Sequence, residues 1–160
     1  VYKLTSTLSA ADAAAATADT QEGIYFANGL YTAIRQFSGL ANVRWFGAAL
    51  DDATNDTTAF NVALAVAVDG VLFPTGRAYI TDMVTVPNNK QMIGVGVALS
   101  VFSVKADFNL SALGVVKMGT SENQGLIDKI GFGEEDEFAL FTELFGIGLE
   151  FFSDRFIGRR

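Results

Sequence analysis

The sequence predicts a mainly β chain with a capped helix in its first half, and three observations carry that expectation. From Val71 onward, short runs rich in Val, Ile, Leu and Phe alternate with turn residues such as Pro74-Thr75-Gly76, Pro87-Asn88-Asn89 and Gly94. Such punctuated short runs are the mark of an all-β architecture. Asn28-Gly29 stands between two strand-like runs, a strong short-range signal for a hairpin. An acidic stretch, Asp51 to Asp56, leads into an apolar stripe of helical period at Ala59, Phe60, Ala63, Leu64 and Ala67.

Taken in chain order, Ser9 with Asp12 reads as a capping pair in front of the Ala-rich run Ala10–Ala18, which suits a short packing helix or a trimer-contacting arm. Gly23–Ala27 and Leu30–Ile34 read as the hairpin strands, with Asn28 and Gly29 central in a type I′ turn. Trp45-Phe46-Gly47-Ala48 reads as a strand end and the acidic stretch from Asp51 as a turn. Asn55 or Asp56 is placed to cap the next helix, which Asp69-Gly70 would end. Strands are expected at 71–73, 79–81, 84–86, 92–93, 95–104, 113–118 and 126–130. A sandwich and a solenoid of parallel strands both fit that series. After Gly133 the pattern changes: acidic Glu134–Glu137, a Phe-rich stripe, then Arg155, Arg159 and Arg160. Acids first and bases last complement a helix dipole. The chain thus divides into residues 1–42, 43–133 and 134–160.

Composition excludes several functions. The 160 residues contain no Cys and no His, which removes thiol nucleophiles, disulfides, His-based triads and His/Cys zinc sites. A net charge of −7 argues against a nucleic-acid footprint or adsorption to anionic lipid. No charge-free run of membrane-spanning length occurs. The chain shows no signal-peptide pattern, and it opens on Val1 rather than Met, as a processed or partial chain would. Half of the residues are hydrophobic, a high share that fits burial of some surface against another chain. Gly94-Val95-Gly96 lacks the third glycine or the lysine of a nucleotide-binding loop, and no cofactor is expected.

The ordered series Phe46-Gly47-Ala48, Asp51, Thr54, Asp56-Thr57, Ala59-Phe60, Ala63-Leu64, Val71, Phe73-Pro74, Gly76 and Tyr79 resembles the opening segment of right-handed parallel β-helix proteins of the pectate-lyase-like superfamily, especially bacteriophage tailspikes. Val84-Thr85-Val86-Pro87-Asn88 and Ile93-Gly94-Val95-Gly96 are similar to the rungs that follow. The resemblance covers residues 43–133. Leu50 and Asp52 stand where the family has two turn glycines, and Asn55 replaces the first Asp of a pair, so another turn conformation is expected. The resemblance implies the start of a right-handed parallel β-helix with an N-terminal hairpin and a capping helix, about three repeats long. It also implies a homotrimer, a phage tail or capsid protein as attachment partner, bacterial surface polysaccharide as a further partner, and a place in the virion or outside the cell.

Two acidic sets are the candidate chemistry. Asp51, Asp52 and Asp56 could bind a hard cation, although a turn with a helix cap is the plainer reading and the spacing is not that of an EF-hand loop. Asp107 and Asp128, about one solenoid repeat apart, could stack as paired carboxylates for glycoside hydrolysis. Lys105 and Lys129 nearby would suit a polysaccharide lyase instead. Outward solvated charges are the plainer reading. The alternatives to an attachment role are therefore a small polysaccharide lyase or glycoside hydrolase, and a non-catalytic glycan-binding adhesin.

Overall fold

The computed structural model describes residues 1–104, 116–118, 126–128 and 130–132. The fold is mainly β, with two α-helices among the described residues. The carboxylate candidate Asp107, the lysines Lys105 and Lys129, and the Phe-rich segment 134–160 lie outside the described residues.

The N-terminal part is an antiparallel sheet of β1 (Tyr2–Thr5), β2 (Tyr25–Asn28) and β3 (Tyr31–Arg35), with β3 in the middle. Sequence reading missed β1 because it is only four residues long and faces solvent almost throughout. The hairpin turn is also displaced by one residue from expectation. Asn28 pairs with Tyr31, so Gly29 and Leu30 are central, and of these two only Gly29 has positive φ (58°). Glycine at the first central position is the type II′ pattern rather than type I′.

Helix α1 (Ala10–Ala18) forms where Ala-rich composition predicts it. Ser9 Oγ accepts from the Asp12 N–H at 3.1 Å and donates to Asp12 Oδ2 at 2.7 Å, the expected reciprocal cap. The buried carboxylate of Asp19, one residue past the helix, accepts from three successive N–H groups, Gly23 (2.9 Å), Ile24 (2.7 Å) and Tyr25 (2.9 Å). It thereby fixes α1 to the start of β2, and three charge-assisted bonds offset the desolvation of one carboxylate.

Tyr25 Oη donates to Asp12 Oδ1 at 2.9 Å. Burial, then the Asp12 hydrogen bond and charge, push the Tyr25 phenol up to about 12 from the ordinary 10.0. An acid whose folded pKa is raised contributes stability that is full below the unfolded value and lost as pH rises through the folded one. We therefore expect stability to fall between about pH 10 and 12, and Tyr25→Phe to remove one late step from the alkaline absorbance titration. A Tyr25 step at the ordinary phenol value would contradict the assignment.

From Ala41 onward every strand pairing among the described residues is parallel, which is not the pattern of an antiparallel sandwich. The strands are β4 (Ala41–Asn42), β5 (Asp51–Asn55), β6 (Gly70–Phe73), β7 (Gly76–Ile80), β8 (Val84–Val86), β9 (Gln91–Gly94), β10 (Ser100–Val104), β11 (Val116–Met118), β12 (Leu126–Asp128) and β13 (Gly131–Phe132). Among the described residues they form three sheets, β4-β6-β9-β12, β5-β7-β10-β13 and β8-β11. Successive strands therefore enter the three sheets in turn, and each pass lays its strands beside those of the pass before. In the first pass, β4 and β5 are followed by helix α2 (Thr57–Val66) instead of a third strand.

Several boundaries differ from the sequence reading. Val43–Phe46 is a 3₁₀ turn rather than a strand end, with Asn42 Oδ1 accepting from the Arg44 N–H at 2.9 Å. Asp51–Asn55 is an irregular strand rather than a turn, with a register shift against β7. Residues 95–99, read as strand, form a turn before β10. Helix α2 stops at Val66, short of Asp69-Gly70. Its last carbonyls are capped from outside: Lys90 Nζ donates to the carbonyls of Leu64 (2.7 Å) and Ala65 (2.8 Å). A cation at a helix C-terminus is favoured by the dipole, while burial pulls the Lys90 ammonium below its usual value.

The core lies between the sheets and under α2. Val71, Phe73, Ala78, Ile80, Val84, Val86, Met92 and Phe102 point inward from the strands, and Phe60, Ala63 and Leu64 from α2. Phe60, Phe73 and Phe102 form a triangle with ring centroids 4.9, 4.9 and 5.1 Å apart. Tyr25 and Ile34 pack the N-terminal sheet against this core.

Candidate functional site

The acidic set Asp51, Asp52 and Asp56 comes together around the start of α2, but its carboxylates are used for structure. Asp56 is buried and accepts from the backbone N–H groups of Ala49 (2.7 Å) and Leu50 (3.0 Å). Its side chain turns back toward the preceding loop, so it does not cap the helix, although its carbonyl accepts from the Phe60 N–H at 3.1 Å. The side-chain cap comes from Asn55, whose Oδ1 accepts from the Thr57 N–H at 3.0 Å. Of the two capping candidates read from sequence, Asn55 is thus the one that caps. Burial pushes the Asp56 carboxyl up from its ordinary value, against the pull of the two N–H donors.

Asp51 is exposed and folds onto its own strand. It accepts from the N–H groups of Ala53 (3.0 Å) and Thr54 (2.7 Å) and from Thr54 Oγ1 (3.0 Å), bonds that hold its carboxyl below the ordinary range. Asp52 Oδ2 lies 3.3 Å from Arg77 Nε, with both side chains half-buried. Such a solvent-screened pair adds about 0–1 kcal/mol. Among the described residues, no group of three His, Cys, Asp or Glu side chains is arranged to hold a metal ion.

Leu50 and Asp52, the residues at the expected glycine positions, both take left-handed backbone, with φ of 57° and 61°. The turn keeps the conformation that glycine adopts freely, and two non-glycine residues accept the strain. Leu50 is held there by its bond to Asp56, by its carbonyl accepting from the Arg77 N–H (3.2 Å), and by a buried side chain. Asp52 takes the same backbone at a half-exposed position. Asp52→Gly should therefore be more stable than Asp52→Ala by about 1 kcal/mol, since both lose the ion pair and only Ala keeps the left-handed penalty. Equal denaturation midpoints for the two variants would show that the site is not held in this conformation.

Of the second acidic pair, Asp128 ends β12 opposite Ile93 of β9. Asp107, its expected partner, lies outside the described residues.

The N-terminal sheet carries a second feature, which sequence reading did not single out. Tyr2, Leu4, Phe26, Tyr31, Ala33 and Arg35 alternate onto one face by the β1–β3–β2 register. Arg35 lies over the rings of Trp45 (4.6 Å), Tyr2 (5.4 Å) and Phe26 (5.5 Å), while its Nε donates to the Gly23 carbonyl at 2.7 Å. Leu4 is 71% and Tyr31 57% exposed, so this face remains largely apolar and open. The signal was the period-2 alternation at Tyr2 and Leu4 and at Tyr31, Ala33 and Arg35, too short to stand out without the pairing.

No helix among the described residues is long and apolar enough to cross a membrane. No protein-family model and no curated protein matches the chain. Among solved structures, it is similar to ORF18 of Geobacillus virus E2, at 22% sequence identity and a TM-score of 0.49, over 68% of this chain and 27% of that one. The chain thus spans about a quarter of the length of that protein.

Proposed function

We propose that the chain is a structural and attachment module of a phage tailspike or tail-fibre-like protein. In this reading residues 43–133 begin a right-handed parallel β-helix, and residues 1–42 form the part that joins it to the particle. The observation that carries the reading is the strand order. Strands enter three parallel sheets in turn, and α2 takes the third place of the first pass, where a solenoid needs a cover. The motif series that resembles tailspike openings starts on that same pass, where Phe46 ends the 3₁₀ turn, Asp51 begins β5 and Thr57 begins α2, and its Val71–Tyr79 part falls on β6 and β7 of the next.

The module would assemble as a homotrimer, dock on a tail or capsid protein, and serve recognition of bacterial surface polysaccharide by the whole particle. The open apolar face of the N-terminal sheet and the exposed Val95, Val97 and Leu99 are surfaces that such an assembly would cover. The Asp51–Asp56 cluster serves the turn before α2, and in this reading cleavage belongs to another part of the protein.

Light scattering on the purified protein tests this reading. It predicts a stable species of three times the 17.0 kDa chain mass, with no release of reducing or unsaturated sugar from capsule or lipopolysaccharide. A stable monomer, or sugar release that Asp128→Asn abolishes, would overturn it.

A further inference from the structure

The first pass leaves one sheet edge without a strand: β8 pairs with β11 on one side, and α2 lies on the other. An open edge presents unpaired N–H and C=O groups to any extended chain. Here two of those groups are met by one side chain of α2. The Met83 carbonyl accepts from Asn61 Nδ2 at 3.0 Å, and the Thr85 N–H donates to Asn61 Oδ1 at 2.9 Å. These two groups flank Val84, and a single residue of a parallel neighbouring strand would bind the same pair. A similar pattern occurs just before β8. The Tyr79 carbonyl accepts from the Asp56 N–H at 2.8 Å, and the Thr81 N–H donates to Thr57 Oγ1 at 2.9 Å. Asn55 Nδ2 also donates to Thr81 Oγ1 at 2.7 Å.

We propose that Asn61 is a surrogate strand residue, through which α2 closes the free edge of β8 and prevents an extended strand of a second copy of this chain from adding there, with Thr57 playing the same part at the end of β7. A second copy is the fitting occupant because β8 already accepts a strand of this same sequence, β11, in parallel register on its other side. Asparagine is the residue the position needs. Its planar amide offers a donor and an acceptor together, as a peptide does, whereas Asp lacks the donor and Leu lacks both. Helix cover alone would not require this chemistry, and apolar residues would serve. The proposal rests on hydrogen bonds within the chain and does not depend on where the protein works.

The test combines amide hydrogen exchange with sedimentation velocity on the wild type, Asn61→Leu and Asn61→Asp. The Thr85 amide should be protected in the wild type. In Asn61→Leu it should exchange about fivefold faster or more, the equivalent of one lost hydrogen bond, while the Leu72 amide in β6 changes little. The same variant should form larger species as concentration rises, at concentrations where the wild type does not change. Asn61→Asp, which keeps the acceptor and loses the donor, should protect Thr85 to an intermediate degree and also associate. Unchanged Thr85 exchange in Asn61→Leu would overturn the surrogate bonds. Faster exchange without added association would overturn the closing role. Should Asn61→Leu fail to fold, an unprotected Thr85 in the wild type or an unchanged sedimentation profile for Asn61→Asp would overturn the proposal.

Discussion

Gly70→Ala should abolish the native fold or lower its melting temperature by roughly 10 °C or more, the equivalent of about 3 kcal/mol in a chain of this size. Gly70 opens β6 at a φ of 116°, which costs a side-chain-bearing residue on the order of 1–3 kcal/mol. Steric overlap costs more than this backbone strain. A Cβ at this position would overlap the backbone nitrogen and carbonyl oxygen of Gln91, its register partner on β9. Backbone cannot rotate away as a side chain can, so relief requires parting β6 from β9. Those two strands join the second pass to the third, and the Gln91 N–H donates to the Asp69 carbonyl at 3.1 Å at that very corner. Circular dichroism melts of the purified variant decide the matter. A wild-type melting temperature would mean that β6 and β9 do not lie side by side here.

Phe60→Ala should cost about 3–5 kcal/mol in chemical denaturation, with the slope of the transition unchanged. Phe60 is fully buried and brings α2 into the aromatic triangle with Phe73 and Phe102. Its removal leaves a cavity between the helix and the sheets and forfeits two ring contacts, each adding about 0.5–1.5 kcal/mol beyond burial. Phe60→Leu keeps most of the volume and should cost well under half as much. The helix is held to the strands by this apolar contact and by the polar bonds of Thr57 and Asn61, so the variant should also loosen the closed edge. A loss below about 1 kcal/mol would show that α2 is not seated on the core.

The sequence revealed the parallel region better than the N-terminal part, for physical reasons. Pro74-Thr75, Pro87-Asn88 and Gly94 interrupt apolar runs that cannot continue through them, so β6, β8 and β9 could be placed to within a residue or two. Their direction could not be read, because parallel and antiparallel neighbours impose the same local pattern on short strands. The motif resemblance supplied the parallel expectation. β1 carried no usable local signal: Tyr2 to Thr5 gains strand character only from pairing with β3, about thirty residues away in the chain. The hairpin was found but shifted by one, since Asn28-Gly29-Leu30 offers both a type I′ and a type II′ solution and only the register decides between them.

The candidate site was legible as a location and not as a set of roles. The acidic cluster does sit at the helix start, yet Asp56 binds backward to Ala49 and Leu50, and Asn55 caps. Sequence spacing cannot tell which neighbouring side chain turns inward. Asp19 and Asn61 gave no signal at all. Each is a lone polar residue whose task, holding three N–H groups or replacing a strand residue, exists only once distant backbone has been brought beside it. Leu50 and Asp52 are the opposite case. They predicted a changed turn, and the turn kept its left-handed backbone because Asp56, Arg77 and the core fix Leu50 in place.

The central claim is that strands of successive passes lie side by side in parallel register. The absence of cysteine makes thiol cross-linking a clean test, with Leu72→Cys/Ile93→Cys in one sheet and Arg77→Cys/Val101→Cys in the next. Each pair faces across neighbouring strands, at positions that are only half-buried, about 4.8 Å apart. The account predicts that a short thiol–thiol linker joins both pairs within one chain under native conditions, while Leu72→Cys/Val101→Cys, which places the thiols in different sheets, is not joined. Failure of both neighbouring pairs, or efficient joining of the mismatched pair, would contradict it.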